Sequence, residues 1–145
     1  MSRPSGAVFA YPFLWKADEA RGVTDSKDRT TCLAIRRDVV AVDGSTTTHL
    51  MLLGITDQIW AGQQALRVPE SEKRRSGLNP KRPAFVVVSE YNYDVLPHSW
   101  HYAPGSKTYG VFSPRFCSEI VMALKTLATA GGLAKIDRTQ AERQP

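Results

Sequence analysis

Cysteine and histidine are scarce in this chain, with two and three copies in 145 residues. Cys32 lies in an apolar, strand-like run and Cys117 on a helical pattern. Neither has a metal-ligand partner at short spacing, so both read as buried thiols in a reducing compartment. His98 and His101 have ligand-like spacing but no accompanying cysteine or carboxylate cluster, and a metal site is not expected there. No apolar run approaches the roughly 20 residues that a membrane span needs. Met1 to Gly6 carries no apolar h-region, so no secretory signal is expected and the expected location is cytoplasmic. A glycine-rich phosphate cradle, a Gly-x-Ser-x-Gly elbow, internal repeats and a dividing linker are all missing.

What is present is ordinary globular material with a basic lean. A length of 145 residues suits one domain able to bury a real core. Hydrophobic residues make up 42% and charged residues 23%, as in typical folded domains. The net charge of +5 and pI near 9.4 favour a polyanionic partner, nucleic acid above all.

Short strands dominate the pattern. Ala7 to Tyr11 reads as a first strand closed by Pro12, and Phe13, Leu14 and Trp15 pin the start of the next connection to the core. From Lys16 to Arg29 the chain turns polar, which reads as a long binding or lid loop. Thr31 to Val42 and Thr46 to Ile55 read as two strands joined at Asp43-Gly44, a dipeptide suited to the positive φ of a tight hairpin. Ala65 to Val68 is a further strand stopped by Pro69. Glu70 to Arg82 reads as a basic, turn-rich segment, and Ala84 to Val88 as a strand buried on both faces. Tyr91 to Tyr109 reads as aromatic and turn-rich, ending in a short strand from Thr108 to Phe112.

One helix is clearly marked. Ser113 suits the N-cap, Pro114 the first helical position and Gly131 the stop. Phe116, Ile120, Ala123, Leu124 and Leu127 share one face. A short strand from Leu133 to Ile136 comes next, then a polar, frayed tail from about Asp137 to Pro145. The expected class is mainly β with α: a small barrel or strongly curved sheet with a C-terminal helix packed on it.

Three strand ends carry polar groups suited to one chemistry. Arg29 precedes the second strand, Thr56 follows the third, and Ser89-Glu90 follows the apolar one. The guanidinium fork suits a phosphate oxygen or a phosphorane, a threonine hydroxyl can donate to the same oxyanion, and a carboxylate can take a proton from a ribose 2′-hydroxyl or orient the arginine. Such a set suits RNA cleavage without metal. The segment holding Lys73, Arg74 and Arg75 could track an RNA backbone. His98 and His101 could stack on bases or serve in acid–base work. A solvated charged loop is the commoner meaning of the basic segment, and rings that cover the core account for the aromatic one at least as well.

The order of motifs resembles the MazF/PemK family of toxin–antitoxin toxins, which are sequence-specific endoribonucleases. Gly6-Ala7-Val8-Phe9 matches the family's opening strand, and Lys27-Asp28-Arg29-Thr30 with Cys32 to Ile35 matches Lys-x-Arg-Pro and its apolar strand. Gly54-Ile55-Thr56 matches Pro-Ile-Thr. Leu14-Trp15, Gly77-Leu78, Val87 to Asn92, Tyr109-Gly110 and Ser113-Pro114 are similar to one subgroup, and the likeness runs from Gly6 to about Thr139. Thr30 and Gly54 stand where the family has proline, and Val88 stands where one branch has a second catalytic arginine.

The resemblance implies a single domain with an SH3-like barrel of the CcdB/MazF type. It also implies a homodimer, cleavage of single-stranded RNA with no metal or cofactor, and neutralisation by a cognate antitoxin. By position Arg29 and Thr56 match the catalytic pair, Glu90 and Glu19 are candidate acidic partners, and Lys27 is an RNA contact. Two alternatives stand beside it. One is an inactive member that only binds RNA or a partner chain. The other is a CcdB-like poison of a topoisomerase, which needs neither Arg29 nor Thr56.

Overall fold

The computed structural model describes residues 3–23 and 27–139. Among these, eight strands form a mainly antiparallel sheet accompanied by three helices. In chain order they are β1 (Ala7–Tyr11), α1 (Lys16–Ala20), β2 (Arg29–Val40), β3 (Thr46–Thr56), β4 (Ala65–Arg67), α2 (Glu70–Ser76), β5 (Phe85–Val87), β6 (Glu90–Leu96), β7 (Thr108–Val111), α3 (Pro114–Ala130) and β8 (Ala134–Asp137).

Strand order along the main path is β4-β5-β3-β2-β1-β7. The long β3 lies against β2 on one edge and serves two strands on the other. Thr48 to Leu52 pair with β6, and Ile55 and Thr56 pair with β5. β8 runs parallel to β6. The sheet is open rather than closed into a barrel, with β4, β7 and β8 at its edges.

Both faces of the sheet are covered, and the period-2 alternation of strands assigns each residue to one of them. Val8, Cys32, Ala34, Leu53, Val86 and Val88 meet Phe116, Ile120, Leu124 and Leu127 of α3. At about 1.5–3 kcal/mol for each large apolar side chain removed from water, this seam is the main stabilising contact of the helix. The Ser113 hydroxyl accepts the Phe116 amide at 3.2 Å, and Gly131 closes α3 at φ +78°. On the opposite face Phe9, Tyr11, Leu33, Leu50 and Leu52 are covered by Phe13, Trp15 and Tyr102.

Four expectations from the sequence are corrected. The basic stretch after Pro69 begins as a helix, α2, stopped by Gly77 in the left-handed region. Its Glu72 accepts both the Ser113 amide (2.9 Å) and the Ser113 hydroxyl (2.6 Å), tying α2 to the start of α3. The aromatic stretch opens as strand β6, because Glu90, Asn92 and Asp94 alternate with Tyr91, Tyr93 and Val95 across the sheet. The polar Lys16–Arg29 connection begins with α1. Asp137 and Arg138 are not frayed: Asp137 ends β8, and Arg138 is buried with its guanidinium 3.2 Å from the Pro12 carbonyl. Thr139 bonds back to the Asp137 carboxylate through its amide (2.9 Å) and hydroxyl (2.6 Å), and 140–145 lie outside the described residues.

Candidate active site

The inner face of β6 anchors the segment that walls the site, and Glu90 at its start lines the cleft itself. Three polar side chains alternate there and hold the crossing segment from Tyr11 to Lys16. Asp94 accepts the Tyr11 hydroxyl at 2.8 Å, Asn92 bonds both the amide and the carbonyl of Leu14 at 2.8 Å, and Glu90 Oε1 accepts the Lys16 amide at 2.8 Å. Buried polar groups are tolerated because each finds such a partner. Burial first, and the Asp94 carboxylate second, push the Tyr11 hydroxyl far above its ordinary pKa.

Strand register sets the catalytic candidates on this same face. β2 and β3 pair as far as Thr31 and Gly54, and two residues beyond, Arg29 and Thr56 stand at the ends of their strands on this same face. β3 and β6 pair as far as Leu52 and Asn92, and Glu90 lies two residues further along the same face of β6. Gly54 has a further role. A Cβ there would lie 2.5 Å from Cη2 of Trp15, so the indole rests on the bare backbone of β3. Trp15 is held in turn by Phe13, with ring centroids 4.8 Å apart.

These groups open onto a cleft of about 560 Å³, within the roughly 300–1,000 Å³ usual for ligand sites. Arg29, Thr56 and Glu90 all line it. One wall is Trp15 to Asp18 with Ala20, and the other is the β3–β4 loop with Gln58, Trp60 and Gln63. Glu90 touches both walls: Oε1 takes the Lys16 amide, and Oε2 lies 3.5 Å from Nε2 of Gln63. Its side chain is engaged and the residue is only 5% exposed. The Thr56 hydroxyl sits in a local turn, donating to the Gln58 carbonyl (3.0 Å) and accepting the Gln58 amide (3.2 Å).

Other residues singled out from the sequence lie elsewhere. Glu19 is exposed on α1 and does not line the cleft, whereas its neighbour Asp18 does, paired with Arg21. Lys27 is exposed just before β2 and also lies outside the lining. Lys73 is 3% exposed; its ammonium binds Glu70 at 3.0 Å and the Arg82 carbonyl at 2.8 Å, so it joins α2 to the next loop and is not placed to track a backbone. Arg74 and Arg75 are exposed on α2, away from the cleft. His98 and His101 follow the far end of β6, with His101 Nδ1 3.3 Å from Arg138. Cys32 is buried, but Cys117 is only half-buried.

Sequence reading missed Asp18, Trp60 and Gln63. Trp60 carried a readable signal, a tryptophan four residues beyond Thr56 in a polar loop. Among the described residues no group of three His, Cys, Asp or Glu side chains is disposed to hold a metal ion, and no helix is long and apolar enough to cross a membrane. No protein-family model, curated protein or solved structure matches the chain.

Proposed function

We propose that the chain is a MazF/PemK-like endoribonuclease toxin that cleaves single-stranded RNA in this cleft. The proposal includes an SH3-like, CcdB/MazF-type arrangement for the sheet, a homodimer and a cognate antitoxin. The observation that carries it is the convergence of Arg29, Thr56 and Glu90 on one cleft. The order of sequence motifs and the net charge of +5 support the same reading.

In the proposed reaction a carboxylate takes the proton of a ribose 2′-hydroxyl, whose oxygen bonds to the adjacent phosphorus. The bond from phosphorus to the 5′ oxygen breaks, Arg29 hands that oxygen a proton and is reprotonated through solvent by the one the carboxylate took, and a cyclic phosphate remains. Arg29 stabilises the phosphorane with its donor fork. Thr56 donates to a non-bridging oxygen by turning its hydrogen away from the Gln58 carbonyl. Of the acidic groups, Asp18 and Glu90 line the cleft and Glu19 does not, so Asp18 replaces Glu19 as the loop's candidate. The Gly54 departure is matched by Trp15, whose ring occupies the space over the strand.

Purified protein should cut single-stranded RNA in the presence of EDTA. Arg29→Ala should abolish cutting while leaving the circular dichroism spectrum unchanged. Retained cutting by that variant overturns the mechanism.

One observation favours a second reading, a module that binds RNA or a partner chain without cleaving. The Thr56 hydroxyl and the Glu90 carboxylate both already serve internal bonds. Mapping of RNA ends after incubation with total RNA separates the two, since a binding module leaves no new ends.

A further inference from the structure

Trp60 is 62% exposed and lines the cleft, although tryptophan ordinarily buries most of its surface. Its loop is ordered by specific bonds. The Trp60 amide donates to Gln63 Oε1 at 2.9 Å, the Gln63 amide returns to the Trp60 carbonyl at 3.0 Å, and Gln63 Nε2 reaches toward Glu90. The ring is therefore presented by a fixed backbone rather than left on a loose tip. Arg29 and Lys16 supply cationic groups in the same cleft.

We infer that Trp60 is a stacking platform for an unpaired nucleobase of the RNA strand whose phosphate meets Arg29. This rests on the reading of the cleft as an RNA site. A flat aromatic face beside cationic groups is how single-stranded nucleic acid is held, the cation taking the backbone and the ring taking the base. Half of the fourteen lining residues are charged or polar, whereas a protein-binding hot spot has a desolvated apolar centre. The volume of about 560 Å³ leaves room for a base and its phosphate together. Gln63 is the positioning residue of the platform, since its amide carries the Trp60 backbone toward Glu90.

The test uses a mixed-sequence single-stranded DNA 12-mer, which lacks the 2′-hydroxyl and survives, with binding read by fluorescence anisotropy. Trp60→Ala should weaken binding roughly ten- to hundredfold, and Trp60→Phe should restore most of it. Trp100→Phe, at an exposed ring outside the cleft, should change nothing and should keep the quenching of tryptophan emission by the oligonucleotide. Unchanged affinity in Trp60→Ala overturns the platform, and so does a complete failure of the unaltered chain to bind. RNA cleavage is scored separately. Cutting with no dependence of binding on Trp60 removes the platform and leaves the nuclease. Trp60-dependent binding with no cutting removes the nuclease and leaves the platform.

Discussion

Asn92 holds Leu14 by both ends of its side-chain amide, accepting the Leu14 N–H and donating to the Leu14 carbonyl at 2.8 Å each. The pair lies in the buried interior, and the segment it fixes carries Trp15 into the cleft. Asn92→Asp keeps the acceptor but turns the donor into a charged acceptor facing a carbonyl. The expected loss is about 2–4 kcal/mol, read as a lower urea midpoint with unchanged slope. Asn92→Ala should fall in the same range, because it strands two buried backbone groups.

Gly54→Ala is expected to displace Trp15 rather than β3, since the added carbon meets the far edge of a side chain. Overpacking of this kind costs about 1–3 kcal/mol. The check is a double-mutant cycle with Trp15→Ala, in which the Gly54→Ala penalty should largely vanish. A penalty of the same size on both backgrounds would place the strain in the backbone instead.

Stability at high pH should depend on Tyr11. Its folded pKa is raised by burial and by Asp94, so its contribution is complete below the unfolded value of about 10 and is lost as pH climbs toward the folded value. One such proton gives a slope of about 1.4 kcal/mol per pH unit. Cys32, raised by burial, adds a like slope from about pH 8.5. Tyr11→Phe should be less stable at neutral pH, having removed a donor to Asp94, yet lose stability above pH 10 with a slope shallower by one proton. Equal slopes by urea titration from pH 9 to 11.5 contradict the assignment.

The two kinds of basic residue on α2 should separate cleanly. Arg74→Ala and Arg75→Ala, at exposed positions, should alter stability by no more than about 0.5 kcal/mol. Lys73→Ala removes a buried ammonium that binds Glu70 and the Arg82 carbonyl, and a loss of about 2–3 kcal/mol is expected. Thermal denaturation of the three variants is sufficient. A Lys73 variant as stable as the arginine variants would contradict the joining role.

Helix α3 was legible because cap, stop and apolar face all agree along one stretch of chain, and the β2–β3 hairpin because Asp43-Gly44 marks its turn. β6 was not, since its inward residues are Glu90, Asn92 and Asp94, polar groups buried by partners on a distant segment. Hydrophobic periodicity cannot register a strand whose buried face is polar. Lys73 misled for the same reason, because its burial depends on the carbonyls of the following loop. Arg29 and Thr56 could be nominated from the sequence, but their meeting in one cleft, and Trp60's place beside them, come only with the fold.

Glu90 offers the sharpest division between chemistry and architecture. Oε1 accepts the Lys16 amide and Oε2 faces the Gln63 amide, so the carboxylate bridges the two walls of the cleft. Glu90→Gln preserves an acceptor for Lys16 but cannot take a proton, whereas Glu90→Ala removes both the bridge and the base. As the general base, Glu90 would make Gln as damaging as Ala, with cleavage reduced about 10²–10⁴-fold in each. As a bridge, with Asp18 taking the proton, it would leave Glu90→Gln cutting within about tenfold of the unaltered chain. Glu90→Ala would then lose both cleavage and oligonucleotide affinity, because the Lys16 and Gln63 walls are no longer tied. The geometry favours the bridge, since the side chain is engaged on both sides and only 5% of the residue is open to solvent. Single-turnover cleavage of an RNA by the two variants, alongside their affinity for the DNA 12-mer, decides it. Equal loss of cleavage with intact affinity in both would return Glu90 to the role of base.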